Sequence, residues 1–215
     1  MAAVRSRRVA GMGRKEGGSA PLRVRDRIFA AAGELFREHG IRAVGVDAIA
    51  TRAGTNKVSF YRSFASKDAL VVECLQAREA DYWRWWEAVV APYQDAPRAQ
   101  IEALFASAAA CRGHDGVWAG SAFSHTAVEL RDTPHPAHAL IAAHKAEVRR
   151  RLTALAAAAG ARDPQALGDA LLLLLDGGAS LHLLFGDSGC DAPLAGVTGS
   201  VRALLDAQLA APGGD

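Results

Sequence analysis

Cysteine is scarce: only Cys74, Cys111 and Cys190 carry a thiol in 215 residues. None stands in a C-x-x-C spacing and three cannot all pair within one chain, which argues against a disulfide framework and fits a reducing compartment. No neighbour in sequence marks any of the three as having a lowered thiol pKa, so buried, inert cysteine is the expectation. Long apolar runs are missing too. The longest leucine run, Leu171 to Leu175, is bounded by Asp169 and Asp176, far short of the roughly 20 residues that a membrane-spanning helix needs. Residues 1–18 are basic and glycine-rich without the apolar stretch of a secretory signal. A cytoplasmic protein with no membrane partner is expected. Catalytic motifs are absent as well: there is no glycine-rich phosphate loop, no G-x-S-x-G, no H-E-x-x-H and no obvious carboxylate pair on one helix face, so no enzyme is expected. The seven histidines raise the question of a metal. Cys111 and His114 form one C-x-x-H spacing, but no second pair completes a coordination set, and neither metal nor cofactor is expected.

What the chain has is a lopsided charge. The formal net charge is only +2, yet residues 1–67 hold 14 Lys and Arg against 5 Asp and Glu, while the remaining 148 hold 11 against 18. A basic end on an acidic body is the electrostatic footprint of a polyanion binder. The length is enough for a buried core.

Within the basic end, the stretch from Val46 to Leu70 organises the rest. Val46, Ile49, Ala50 and Ala53 follow the spacing of one face of a short helix, which Gly54 ends. A second short helix follows, capped by Thr55 or Asn56, with Val58 and Phe60 or Tyr61 as inward groups. Its remaining side chains, Lys57, Ser59, Tyr61 and Arg62, point elsewhere. Two short helices joined by a glycine-containing turn, the second polar and basic on its free face, describe a helix-turn-helix. A B-form major groove admits one such helix, whose amide, hydroxyl, ammonium and guanidinium groups suit base edges and phosphates. Ser66 reads as the cap of a long fourth helix running to about Val90, before Pro92. Before the pair, Ile28, Ala31, Ala32, Leu35 and Phe36 mark an amphipathic brace from Val24 to Gly40, with Ile49 and Phe64 as its expected partners.

These residues resemble the TetR family of one-component transcriptional regulators. The likeness rests on the amphipathic first helix, on Ile49-Ala50 followed by Ala53-Gly54, and on Phe60-Tyr61, Phe64 and Ser66-Lys67-Asp68-Ala69-Leu70, all in register. It covers about residues 25 to 72 strongly and the remainder in length and helical pattern. Two positions depart from it: Gly45 and Val46 stand where Thr or Ser commonly caps the second helix, and Val58 stands where Gly is frequent. By register, the resemblance implies DNA contacts at Thr55, Asn56, Lys57, Ser59, Tyr61, Arg62 and Lys67, with Lys57 or Arg62 on guanine and Lys67 on a phosphate.

Further along, Tyr82-Trp83-Arg84-Trp85-Trp86 places aromatics at 100° steps, so they cannot all face one way. The resemblance implies that this part of the fourth helix lines an effector pocket, through Tyr82, Trp83 and Trp86. Trp118, Phe123, His125 and His144 are further candidates; the two histidines are equally readable as core groups. Helices are expected at about 98–111, 118–130 and 137–159, the last with Leu140, Ile141, His144, Val148, Leu152 and Leu155 on one stripe. The helix from Pro164 to Phe185 is apolar nearly all round, and Gly177, Gly178 and Ala179 permit a close crossing. Val197, Val201, Leu204, Leu205 and Gln208 give the last helix one stripe. The resemblance implies a homodimer through these last two helices.

The expected fold is all-α: an N-terminal three-helix helix-turn-helix DNA-binding domain and a C-terminal helical ligand-binding and dimerisation domain, about nine helices in all. Boundaries fall at 1–22 (a flexible basic arm), 23–67 (DNA-binding), 68–211 (ligand-binding and dimerisation) and 212–215 (a tail). The function expected is sequence-specific, ligand-responsive repression at double-stranded operator DNA, with a small apolar or aromatic effector. The alternative is a ligand-independent architectural DNA-binding dimer.

Overall fold

The computed structural model of this chain describes residues 22–110, 119–185 and 191–209, and only the backbone at 119–121, 179, 181–185 and 191–195. The basic arm up to residue 21, the segment holding Cys111 and Trp118, Cys190 and the 212–215 tail lie outside the described residues.

The described residues form nine α-helices and no strand. They are α1 (Val24–His39), α2 (Val46–Arg52), α3 (Lys57–Ser63), α4 (Lys67–Val90), α5 (Pro97–Ala110), α6 (Ala119–Leu130), α7 (Ala137–Ala158), α8 (Pro164–Phe185) and α9 (Asp191–Leu209). A short 3-10 turn, Ala91–Tyr93, follows α4. Local chemistry sets the ends. After α2, Gly54 takes φ 61°, its N–H donates to Thr51 O, and Thr55 N–H donates to Ala50 O. This is a Schellman closure, which needs a residue at ease with positive φ. The same closure recurs after α7 at Gly160.

Three apolar clusters stack along the molecule. In the first, α1 braces α2 and α3 through Ile28, Ala32 and Leu35 against Ile49, Phe60 and Phe64. The second joins this head to the body: Ile41, from the loop after α1, packs with Val71 and Leu75 of α4, Phe123 and Leu130 of α6, and Ile141 of α7. The third is the body core, where Tyr82 and Trp86 meet Ile101, Leu104 and Phe105 of α5, Leu152 of α7, Leu171 of α8 and Leu205 of α9. Helix α4 contributes to all three, so it is the mechanical link between head and body.

Helices α7 and α8 cross closely at Gly168. A Cβ added at Gly168 would stand 2.3 Å from Thr153 Oγ1 and 3.0 Å from the Thr153 backbone. Lys145 pairs with Asp176, and Arg149 with Asp169, along the same seam.

The stripe of α9 turns inward. Val201 and Leu205 are fully buried in the chain's own core, because α9 lies across α5 and α8, and Arg98 of α5 pairs with Asp206 at 2.6 Å. What α9 leaves open is a small-residue surface that includes Gly196, Gly199 and Ala203. On α8 the open positions include Ala166, Leu173 and Gly177, and Leu173 is 73% exposed.

Candidate nucleic-acid interface and effector region

The reading head is built so that one face of α3 is anchored and the other is free. Phe60 is fully buried and Phe64 nearly so, with ring centroids 5.9 Å apart. Each phenyl ring buried in this way contributes about 1.5–3 kcal/mol. Asn56 caps the helix, its Oδ1 accepting from Ser59 N–H at 2.9 Å. Of the two cap candidates, Asn56 therefore fills the role. Helix α2 starts from Gly45 with no side-chain cap.

Lys57, Val58, Tyr61 and Arg62 are all exposed, and Val58 and Arg62 lie opposite Phe60 on the helix wheel. Val58 corrects the expectation of an inward group: it is 61% exposed, on the same side as Tyr61 at 52%. The wheel explains this, since two residues before Phe60 lie about 160° round the helix from it. Phe60, rather than Tyr61, supplies the inward ring, and the Tyr61 ring meets it edge-on at 5.3 Å. Arg62 makes no ion pair or hydrogen bond among the described residues, whereas Lys57 Nζ pairs with Asp47 at 3.2 Å. Thr55 and Ser59 are half-buried. Lys67 Nζ donates to Ile41 O at 2.6 Å and Val44 O at 2.7 Å. It thus straps the start of α4 to the loop before α2, and an ammonium has one donor left over.

The effector-region residues divide. Tyr82, Trp83, Phe123 and His144 come together: the His144 ring stacks on Phe123 at 3.8 Å, and Tyr82 meets it edge-on at 4.8 Å. Trp83 stands 5.4 Å from the same ring and is covered on its outer side by the Arg151 guanidinium at 4.1 Å. Trp86 completes the group, 6.0 Å from Trp83. Arg151 is held there by Glu87 and Glu147. The Arg150 and Arg151 guanidiniums beside Glu147 hold its carboxyl down at about 2. Burial raises the Tyr82 hydroxyl well above the usual phenol range. Burial, with Lys145 adding to it, pushes His144 down to about 4. Neither ring nitrogen of His144 has a hydrogen-bond partner among the described residues. Glu79 Oε1 lies 3.4 Å from Nδ1, too poorly aligned to bond, so the cost of desolvating the cation prevails.

His125 stands apart from this cluster. It lies at a hollow of about 170 Å³ between α1, α4 and α6, where Phe36, Ile41, Val71 and Leu75 supply apolar wall. Cys74 also faces this hollow, and burial pushes its thiol up to about 12, so it stays protonated at neutral pH. Sequence spacing gave no sign of the hollow, whose walls come from three distant segments. No three His, Cys, Asp or Glu side chains among the described residues are grouped to hold a metal. No helix among them is long and apolar enough to cross a membrane.

A braced pair of short helices with a free polar face, carried on a long helix that runs into an all-α body, defines a helix-turn-helix regulator. Residues 28–74 match the family model described as bacterial regulatory proteins, tetR family. The fold is similar to that of a putative TetR transcriptional regulator from Streptomyces avermitilis, with 30% identity over 87% of this chain and 98% of that one, at TM-score 0.68. It is also similar to a TetR-family transcriptional regulator from Streptomyces coelicolor, at 26% identity over 87% of this chain and 96% of that one, with TM-score 0.78. Regulatory protein TetR from Rhodobacter sphaeroides, 23% identical over 85% of this chain and 97% of that one, shares the fold at TM-score 0.68. No curated protein matches the chain in sequence. The chain belongs to the TetR family of DNA-binding transcriptional regulators.

Proposed function

We propose that this protein is a homodimeric, ligand-responsive repressor that reads a palindromic operator with α3 of each subunit. The observation that carries the reading is the free face of α3: Lys57, Val58, Tyr61 and Arg62 exposed over an anchored Phe60 and Phe64. Asn56, Thr55 and Ser59 flank this face at the helix start. An exposed arginine with no ion pair among the described residues suits the bidentate acceptor edge of guanine, worth about 1–3 kcal/mol of discrimination. Val58 adds an apolar group of the kind that meets a thymine methyl. Lys67 takes a phosphate with its remaining donor while holding the loop.

The reading domain spans residues 23–67, and residues 68–211 form the ligand-binding and dimerisation domain. Helices α8 and α9 form the dimer contact. Exposed Leu173 beside Ala166 and Gly177, with Gly196, Gly199 and Ala203 nearby on α9, supports close helix packing across a two-fold axis. The two reading heads then sit one DNA turn apart, about 34–36 Å. A small apolar or aromatic effector in the C-terminal domain displaces α4 and changes that spacing, which requires only different affinities for the two spacings. The candidates for its contacts are Tyr82, Trp83, Trp86, Trp118, Phe123, His125 and His144.

One observation favours a second reading, a ligand-independent architectural dimer: Tyr82, Trp86, Phe123 and His144 are buried, with their rings packed on one another. Selection of bound duplexes from a random pool at physiological salt, with Arg62→Ala alongside, separates the two. A regulator enriches one palindrome that Arg62→Ala no longer selects. An architectural protein enriches none, and its binding remains salt-sensitive.

A further inference from the structure

We infer that the hollow between α1, α4 and α6 is a binding site for a small organic monoanion, a carboxylate on a body the size of one ring. The size follows from its volume of about 170 Å³. A dry protein cavity of about 150 Å³ accommodates benzene. Its apolar body would lie against Phe36, Ile41, Val71 and Leu75.

The charge follows from which groups around the hollow are already engaged. Arg37 of α1 and Arg78 of α4 both line it, and both also line the adjoining hollow on the far side of Gly33 and Cys74. Against these two guanidiniums the hollow itself holds one carboxylate, Glu129, which keeps its charge because its partner is a backbone amide, so the lining is left one positive charge in excess; the carboxylates of the adjoining hollow are paired. Glu129 accepts from Arg42 N–H at 2.5 Å, Asp81 pairs with Arg84, and Glu34 pairs with Arg52 at 3.1 Å. Arg78 is half-buried and forms no ion pair among the described residues. A partly desolvated guanidinium that no described carboxylate pairs with, next to an apolar wall, matches a carboxylate in both charge and fork geometry. The protonated Cys74 thiol contributes no opposing charge. Partial burial lowers the His125 pKa, against a smaller raising effect of Glu129.

The position gives occupancy a consequence. Glu129 Oε1 holds the Arg42 amide, and Arg42 also donates to Thr133 Oγ1 at 3.2 Å, so α6 and the turn after it grip the loop that Lys67 straps from α4. A ligand between α1, α4 and α6 touches all three elements that hold the reading head to the body. This regulatory consequence rests on the ligand-responsive reading above; the site itself does not.

The test titrates the full chain with benzoate and with its neutral isostere benzamide, following saturable binding by calorimetry and the Arg42 amide by NMR. Benzoate is expected to bind about tenfold more tightly than benzamide, the scale of one charge-assisted contact. Arg78→Gln should erase that preference. Gly33→Leu should weaken binding of both, since Gly33 lines the hollow and a Cβ there meets no atom within 4 Å, leaving room for a larger side chain to take up space a ligand would use. Both variants are checked for native helix content, and leucine improves helix propensity at this position. Absence of saturable benzoate binding, or binding that neither variant changes, overturns the site. Benzoate binding with the expected variant behaviour but no change in DNA affinity upholds the site and removes its regulatory role.

Discussion

Lowering the pH should destabilise this protein through His144 in particular. In the folded chain the ring is fully buried against Phe123, Tyr82 and Trp83, and its pKa falls from 6.5 to about 4. In the unfolded chain it titrates near its ordinary value. Between these two values the unfolded state binds more protons, so stability rises with pH across that window and is lost as pH falls through it. About one pH unit above 6.5 and beyond, the ring is neutral in both states and contributes almost no pH dependence. At pH 4.5 most of the difference is expressed, about 2–3 kcal/mol. The assay is urea unfolding at pH 7.5 and pH 4.5, on the wild type and on His144→Leu at matched concentration. The wild type should lose about 2–3 kcal/mol more than the variant between the two conditions. Equal losses would refute the reasoning, because they would mean that His144 protonates as readily folded as unfolded.

Three further substitutions probe the scaffold and the head. Gly168→Ala should destabilise by about 1–3 kcal/mol in thermal or urea unfolding, because its methyl would overlap Thr153, whose backbone cannot move aside without parting α7 from α8. Asn56→Ala should cost about 1 kcal/mol by removing the α3 cap, and should weaken DNA binding in a mobility-shift assay. Glu129→Ala should speed hydrogen exchange at the Arg42 amide, which loses its acceptor, while leaving the Lys67 bonds to Ile41 and Val44 in place.

Much of the reading head was legible because its signals are local. Gly54, Asn56 and Ser66 determine helix ends through contacts within a few residues, so their chemistry shows in the sequence. Val58 was also legible in principle, since the wheel sets it opposite Phe60, but an apolar residue suggests an inward one. The body was less so. Its helix positions follow from breakers such as Pro164 and Gly160, yet a stripe such as Val201 and Leu205 looks alike whether it meets its own core or a partner subunit. The aromatic run of α4 gave no clue that His144, from α7, would sit inside it. The hollow beside Arg78 was invisible, because Gly33, Cys74 and Thr126 converge only after folding.

The most direct measurement takes the palindrome recovered from duplex selection and compares its affinity with that of a duplex of scrambled sequence, at several matched salt concentrations. Two chains should bind each palindrome, at least about 10³-fold more tightly than scrambled DNA at physiological salt. Arg62→Ala should lose most of that preference while keeping most of the salt dependence. Equal affinity for both duplexes at every salt concentration would contradict sequence-specific regulation and leave an architectural binder.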